Sequence, residues 1–312
     1  MLLMAQSKLF ETIYEKTLSE KIKEISEKAI LKIAIASFII HLVIIYLVDF
    51  GFIHVNKFSN LLSNPIAAIY TPFSFILLYE VYLLIYYLPK SFTTYIGKQY
   101  EIMTLIVIRR LFKDLGNLTL KSDWFTIKSD LQFTYDLITS ILMFFLIYHF
   151  YMQSKIRYGE ATKNKMEILA ISRFVKIKKT MATALVPMFI LLSIYSFANW
   201  LLSIVSDADN STHSFANINN IFFEQFFTIL IFADVLLLLF SFFLTDKFHK
   251  VIRNSGFIIS TILIRLSFSI HGLLNNILIL CALVFGLLII LIHNKFERQI
   301  ALEKNDSDAA LE

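Results

Sequence analysis

The stretch FTILIFADVLLLLFSFFL, residues 227–244, holds a single ionisable side chain, Asp234, among its 18 residues. A helix needs about 20 residues of this kind to cross the roughly 30 Å hydrocarbon core of a bilayer. The strands of a membrane β-barrel are about ten residues long and alternate between apolar and polar side chains, and this stretch does not alternate. It therefore predicts a transmembrane α-helix that carries an acid inside the membrane.

The whole chain has the composition of a membrane protein. Of its 312 residues, 57% are hydrophobic and 17% are charged, whereas soluble domains have about 25% charged residues. Only seven glycines and four prolines are present, so turn residues do not divide the apolar sequence into short strands. Cys281 is the one cysteine, which excludes an intrachain disulfide. We expect an all-α polytopic membrane protein.

Apolar windows along the chain predict about eight transmembrane helices. The third window is the weakest, because Arg109 and Arg110 lie in its second half, and a half-buried or re-entrant helix is the alternative there. The windows are residues 33–50, 66–89, 99–117, 133–151, 182–204, 220–244, 255–270 and 273–293.

Lysine and arginine are concentrated in alternate connections between these windows. They are dense before the first window, between the fourth and fifth, and after the sixth and eighth, while the loop at 207–218 has none. Cytoplasmic loops carry the excess of basic residues in membrane proteins. We therefore expect an integral protein of the plasma membrane with both termini in the cytoplasm.

Polar segments flank the predicted spans. Residues 1–30 predict an amphipathic helix that lies along the inner membrane interface. Residues 152–180 form a basic linker, which could bind anionic lipid or simply be a solvated connection. Residues 295–312 predict a polar cytoplasmic tail. The lipid bilayer is the expected partner, and a small ion is a possible one. We expect no nucleic-acid partner, and the chain could form a homo-oligomer.

The two halves of the predicted membrane part, residues 31–151 and 181–294, resemble each other in sequence. Each half contains four spans, so both would enter the membrane in the same sense. Such parallel repeats are related by an axis along the membrane normal. Apolar sequence of low complexity also produces chance matches, and this alternative stays open.

The alignment of the halves pairs charged residues inside the spans. Glu80 aligns with Asp234, and Arg109 aligns with Arg265. The matched segments are LLYEVYLLIYYL (77–88) with IFADVLLLLFSFF (231–243), and LIVIRRLF (105–112) with TILIRLSF (261–268).

In each half the acid and the arginine lie at similar depths on consecutive antiparallel helices. Glu80 is about 13 Å of helix from the inner end of its span, and Arg109 is about 16 Å from the inner end of the next. Intramembrane ionisable residues are candidates for ion or proton pathways. A buried acid–arginine pair can equally clamp two helices together, because breaking it leaves a buried charge without a partner.

Several other polar side chains within the spans are weaker candidates. His41 lies in the middle of the first span, where it could transfer a proton or act as a neutral hydrogen-bonded side chain. No zinc, nucleotide or nucleophile motif occurs, so no metal, cofactor or catalytic residue is expected. The secondary candidates are Arg110, His149, His293 and Glu224.

These patterns favour a membrane channel or transporter for a small ion, with the proton as one candidate. Glu80 and Asp234 would bind or relay the cation, and Arg109 and Arg265 would hold the two carboxylates. The first alternative is a non-transporting membrane scaffold or effector subunit that recruits a cytoplasmic partner, which predicts acid–arginine pairs sealed from water. The weakest alternative is an intramembrane enzyme that acts on lipid.

Overall fold

The described part of the chain is almost entirely helical. The computed structural model describes residues 11–52, 65–115, 128–156, 165–206, 215–243, 247–270 and 272–309. Of the structure, 92% is helical, and no strand occurs in these ranges. The prediction of an all-α protein is confirmed for these residues.

Eight α-helices follow one another in the described ranges. A 3-10 helix, Pro65–Ile69, precedes the second of them, and residues 11–17 are also helical. The α-helices are α1 (Glu20–Asp49), α2 (Tyr70–Tyr87), α3 (Phe92–Leu115), α4 (Lys128–Ser154), α5 (Lys165–Ser206), α6 (Phe215–Phe242), α7 (Phe248–Ser267) and α8 (Leu273–Ala309).

Five helical segments of the described residues are long and apolar enough to cross a membrane. A sixth apolar segment, Thr71–Tyr87, is shorter. These segments agree with a helical membrane protein, while the predicted eight spans, the parallel repeats and the side on which the termini lie stay predictions. The five segments are Glu11–Asp49, Asp130–Ser154, Ile171–Tyr195, Gln225–Phe242 and Leu273–Glu303.

The predicted third and seventh spans form helices, α3 and α7, that are not among the five apolar segments. Arg109 and Arg110 follow one another on α3, and α7 carries Arg253 and Arg265. Their charges lower the mean hydropathy of these helices. Burial against other helices is therefore needed to place either one inside a membrane.

α4 exposes large apolar side chains and buries an acid. On α4, Ile141, Phe144 and Phe145 are 62%, 58% and 58% exposed, whereas Asp136 on the same helix is fully buried. Exposed apolar area on this scale is unfavourable in water and suits lipid contact. On this helix the acid lies in the interior, and the apolar side chains face outward.

The N-terminal amphipathic segment is not separated from the first span by a break. α1 runs from Glu20 to Asp49 without interruption. The chain departs from helical conformation instead at residues 18–19, where the Ser19 side chain accepts a hydrogen bond from Ile22 N and caps α1. Residues 27–36, EKAILKIAIA, contain neither Gly nor Pro, so nothing ends the helix at the predicted boundary. Residues 1–10 lie outside the described ranges.

The basic linker predicted at residues 152–180 is largely helical. α5 begins at Lys165 and continues into the following span, while residues 157–164 lie outside the described ranges. Arg173 and Lys176 are exposed, but the side chain of Lys178 is buried. Lys178 is therefore not available to an anionic lipid, and the lipid contact proposed for this linker would fall to its exposed neighbours.

Contacts between residues divide the chain into two compact units. One unit comprises 1–86, 105–134 and 179–230; the other comprises 87–104, 135–178 and 231–312. These units are not the two predicted four-span halves, whose repeat relation stays a prediction.

Candidate functional site

The second unit has a buried ion pair at its centre. Asp234 lies in the second half of α6, and Arg265 lies in the last turn of α7. Nη1 of Arg265 is 2.8 Å from Oδ2 of Asp234, and the two side chains are 1% and 0% exposed. The structure thus brings together the acid and the arginine that the sequence placed at matching depths in the second half.

α3 completes the surroundings of this carboxylate. Tyr95 donates a hydrogen bond to Oδ1 of Asp234 at 2.7 Å. Gln99 donates a long hydrogen bond of 3.5 Å to Oδ2 and accepts one of 2.7 Å from Nη2 of Arg265. Tyr95 and Gln99 are four residues apart and therefore lie on one face of α3. Three helices meet at one carboxylate, and each of its oxygens has a protein partner.

The guanidinium of Arg265 is less completely bonded than the acid. Its Nε and Nη1 have no hydrogen-bond acceptor among the described residues. The Nη1 contact with Asp234 is an ion pair without the angles of a hydrogen bond. Buried donors of this kind are usually satisfied by protein or by ordered water. Two donors of the arginine thus stay unpaired with protein groups among the described residues.

A second polar chain joins α3, α7 and α8. Tyr100 donates to Oγ of Ser260 at 2.7 Å, and Ser260 donates to the carbonyl oxygen of Ala282 at 2.6 Å. Gly286, one turn further along α8, allows this approach, because a Cβ there would overlap the hydroxyl of Tyr100. Small residues let membrane helices pack closely and form hydrogen bonds across the contact.

Lys178, in the first half of α5, contacts the turn before α3. Its Nζ donates to the carbonyl oxygen of Lys90 at 2.8 Å. The same ammonium group lies 4.1 Å from the ring centroid of Phe92 and 5.0 Å from that of Phe174. A desolvated cation over an aromatic face is worth about 2 kcal/mol. Lys178 also interacts electrostatically with Asp234.

The acid and arginine predicted as a pair in the first half belong to the other unit. Glu80 on α2 is 5% exposed. Arg109 on α3 is half-buried and close enough to Glu80 to interact with it electrostatically. This acid–base relation is also present, but no group that donates a hydrogen bond to Glu80 is identified among the described residues.

The structure also describes three of the other predicted residues, His41, His149 and Arg110. His41 on α1 forms a hydrogen bond with Oγ1 of Thr71 on α2. His149 packs edge-to-face against Phe145 and Tyr148, with ring centroids 4.4 and 5.5 Å away. Arg110 is half-buried, and the side chain of Glu224 lies outside the described residues.

Sequence reasoning missed Tyr95 and Gln99. Both are neutral, and they precede Asp234 by 139 and 135 residues. Their spacing of four residues on a helix was the one available signal. That spacing does not identify a partner in a distant segment.

Comparison of the chain with protein-family models, curated proteins and solved structures found no match.

Proposed function

We propose that the chain is a non-transporting membrane scaffold or effector subunit. In this proposal the buried acid–arginine network fixes the helices, and exposed polar segments bind a cytoplasmic partner. The supporting observation is the enclosure of Asp234: its side chain is 0% exposed and its oxygens contact Tyr95, Gln99 and Arg265. A carboxylate that relays ions must exchange contacts with water or the ion, whereas one that clamps helices need not.

The charge balance around Asp234 supports the same proposal. Arg265 forms an ion pair with it, and Lys178 interacts with it electrostatically. The charge of Arg265 alone balances that of the carboxylate, so the pair carries no net negative charge to attract a further cation. In a low-dielectric interior, the attraction between the paired charges is much stronger than in water.

The segments proposed to bind a partner are exposed and charged. On α1, Glu24 and Lys28 are exposed beside the apolar part of the helix. On α5, Arg173 and Lys176 are exposed near the N-terminal end of the apolar segment Ile171–Tyr195. Mixed charge on a surface steers association and selects partners, and it contributes more to specificity than to affinity.

Ion flux in proteoliposomes tests the proposal directly. A pH-sensitive dye and ion-selective dyes trapped inside vesicles would report transport by the purified chain. We expect the same flux as in empty vesicles for the wild type, for Glu80→Gln and for Asp234→Asn.

Photo-crosslinking in native membranes tests the binding of a partner. A crosslinker at position 24 should yield a protein adduct that is lost in Lys28→Glu, whereas one at position 144, in the apolar face of α4, should yield none.

Transport of a small ion is the second candidate function. The unsatisfied Nε and Nη1 of Arg265 favour it, because a water molecule placed there would begin a hydrated path beside Asp234. This function predicts a flux above that of empty vesicles that falls in Asp234→Asn and Glu80→Gln and persists in Asp49→Asn. Asp49 is a matched control, since it is an exposed acid at the end of α1.

A further inference from the structure

Three side chains that can bind metal meet where the beginning of α7 lies against α8. His249 comes from the first turn of α7, and His293 and Glu297 come from α8. His293 and Glu297 are four residues apart and share one face of their helix. One ligand atom from each side chain can be chosen so that all three lie within 4.8 Å of one another.

We propose that His249, His293 and Glu297 form a binding site for a divalent transition-metal cation such as Zn²⁺. Two imidazoles and one carboxylate are a ligand set that suits zinc, and three protein ligands leave its fourth position open. Imidazole also binds copper, nickel and cobalt, whereas magnesium and calcium prefer oxygen ligands. The site therefore selects the class of metal by the nature of its ligand atoms.

The distances between the candidate ligand atoms lie on either side of the separation expected in a tetrahedral metal site. Nε2 of His249 is 2.8 Å from Oε1 of Glu297, and Nε2 of His293 is 3.9 Å from the same oxygen. Metal–ligand bonds of about 2.0–2.1 Å in a tetrahedral site place the ligand atoms about 3.3 Å apart. The side chains of His249, His293 and Glu297 are 10%, 9% and 28% exposed, so the cluster is sheltered but accessible past Glu297.

Two cations already contact this cluster, and they determine how a metal would enter. Nη1 of Arg253 is 3.0 Å from Nε2 of His293, and Asn254 holds the same guanidinium through Nε and Nη2. Nζ of Lys250 is 4.0 Å from Oε1 of Glu297. The contact from Arg253 places a donor on the lone pair that a metal would use. The guanidinium therefore stands in for the cation and must move aside when a metal binds.

The His293 ring is able to adjust when Arg253 leaves. Its Nδ1 has no hydrogen-bond partner among the described residues, so rotation of the ring breaks no second hydrogen bond and changes only its stacking on the His249 ring. The site is built from two helices, and its histidines are 44 residues apart in the sequence. A short sequence motif such as HExxH does not describe it, which explains why motif searching does not reveal it.

Titration of the purified full-length protein in detergent with Co²⁺ tests the proposal. We expect visible absorption bands of tetrahedral cobalt that Zn²⁺ removes by competition. His293→Ala and Glu297→Gln should each weaken binding by about tenfold or more, since even loss of an outer-shell partner costs 10–100-fold. Arg253→Gln should strengthen binding, because it removes the competing cation. His149→Ala, on α4, is the matched control and should leave binding unchanged.

The Arg253 variant separates a metal site from a purely structural cluster. A structural cluster would lose thermal stability in Arg253→Gln without gaining metal affinity. Absence of cobalt bands in both the wild type and Arg253→Gln would overturn the proposal. So would an affinity that is the same in the wild type, His293→Ala and Glu297→Gln. Size-exclusion profiles establish folding, and His249→Gln replaces any ligand variant that aggregates.

Discussion

Nη1 of Arg265 lies 2.8 Å from Oδ2 of Asp234, and both side chains are almost completely shielded from solvent. A buried pair is weak evidence for net stabilisation, because desolvating two charges offsets much of their attraction. Removing one partner has a different effect, since it leaves the other charge buried and uncompensated. A packing of α6 and α7 that separated the two groups inside the protein would therefore be unfavourable.

The first prediction concerns this pair. Asp234→Asn should destabilise the folded protein by about 3–5 kcal/mol, because Arg265 is left without its counter-charge. Thermal or denaturant unfolding in detergent measures the change, and Asp49→Asn should have almost no effect. The double variant Asp234→Asn, Arg265→Gln should regain part of the loss. A double variant that is less stable than the sum of the two singles would contradict a clamp.

Gly286 gives a second prediction. Gly286→Ala should destabilise the protein by about 1–3 kcal/mol, because the new methyl group would overlap the Tyr100 hydroxyl and force the helices to shift. Combining it with Tyr100→Phe removes the overlapping oxygen. The double variant should therefore be less destabilised than the two single effects added together, as measured by unfolding in detergent. Simple addition of the two effects would show that this contact is not the cause.

Lys178 gives a third prediction. Lys178→Met should destabilise the protein by about 1–3 kcal/mol, because it removes a charged hydrogen bond to the Lys90 carbonyl. The contact of the ammonium group with the Phe92 and Phe174 rings is lost as well. Arg173→Met, at an exposed position five residues earlier, is the control and should change stability by less than about 0.5 kcal/mol. Equal effects at the two positions would argue against the buried contact.

The positive-inside pattern gives a fourth prediction, on orientation. In a Cys281→Ala background, Lys155→Cys should react with a membrane-impermeant maleimide only from the cytoplasmic side, and Asp49→Cys only from outside. Both positions are exposed at helix ends. Gel shifts of intact and permeabilised cells measure the labelling. Labelling of both positions from one side would show that the segments between them cross an even number of times, against the predicted odd number.

The helical character of the protein followed from its sequence because each long apolar run exceeds the length of a strand. The acid–arginine relation at Asp234 also followed, since consecutive antiparallel helices place residues equally far from their connection at the same depth. That argument needs only helix rise and chain direction. It gives no rotation of one helix about its axis relative to another.

The remaining partners depend on those rotations. Tyr95 and Gln99 reach Asp234 only because one face of α3 is turned toward α6. His249 and Glu297 meet for the same reason, where α7 packs against α8. The sequence contains no residue that ends a helix near residue 30. The boundary was predicted there because the charged segment gives way to an apolar one. Polar and apolar residues can both be good helix formers, so a helix can continue across a change from charged to apolar sequence.

The continuity of α1 has a mechanical consequence. Thirty residues from Glu20 to Asp49 form about 45 Å of helix without a Gly or Pro hinge. A protein that grips the exposed turns near Lys28 would hold one end of a stiff rod. Tilting or twisting that end would also move His41 and its hydrogen bond to Thr71 on α2. A force applied near Lys28 would therefore reach the apolar part of α1 without loss at a hinge.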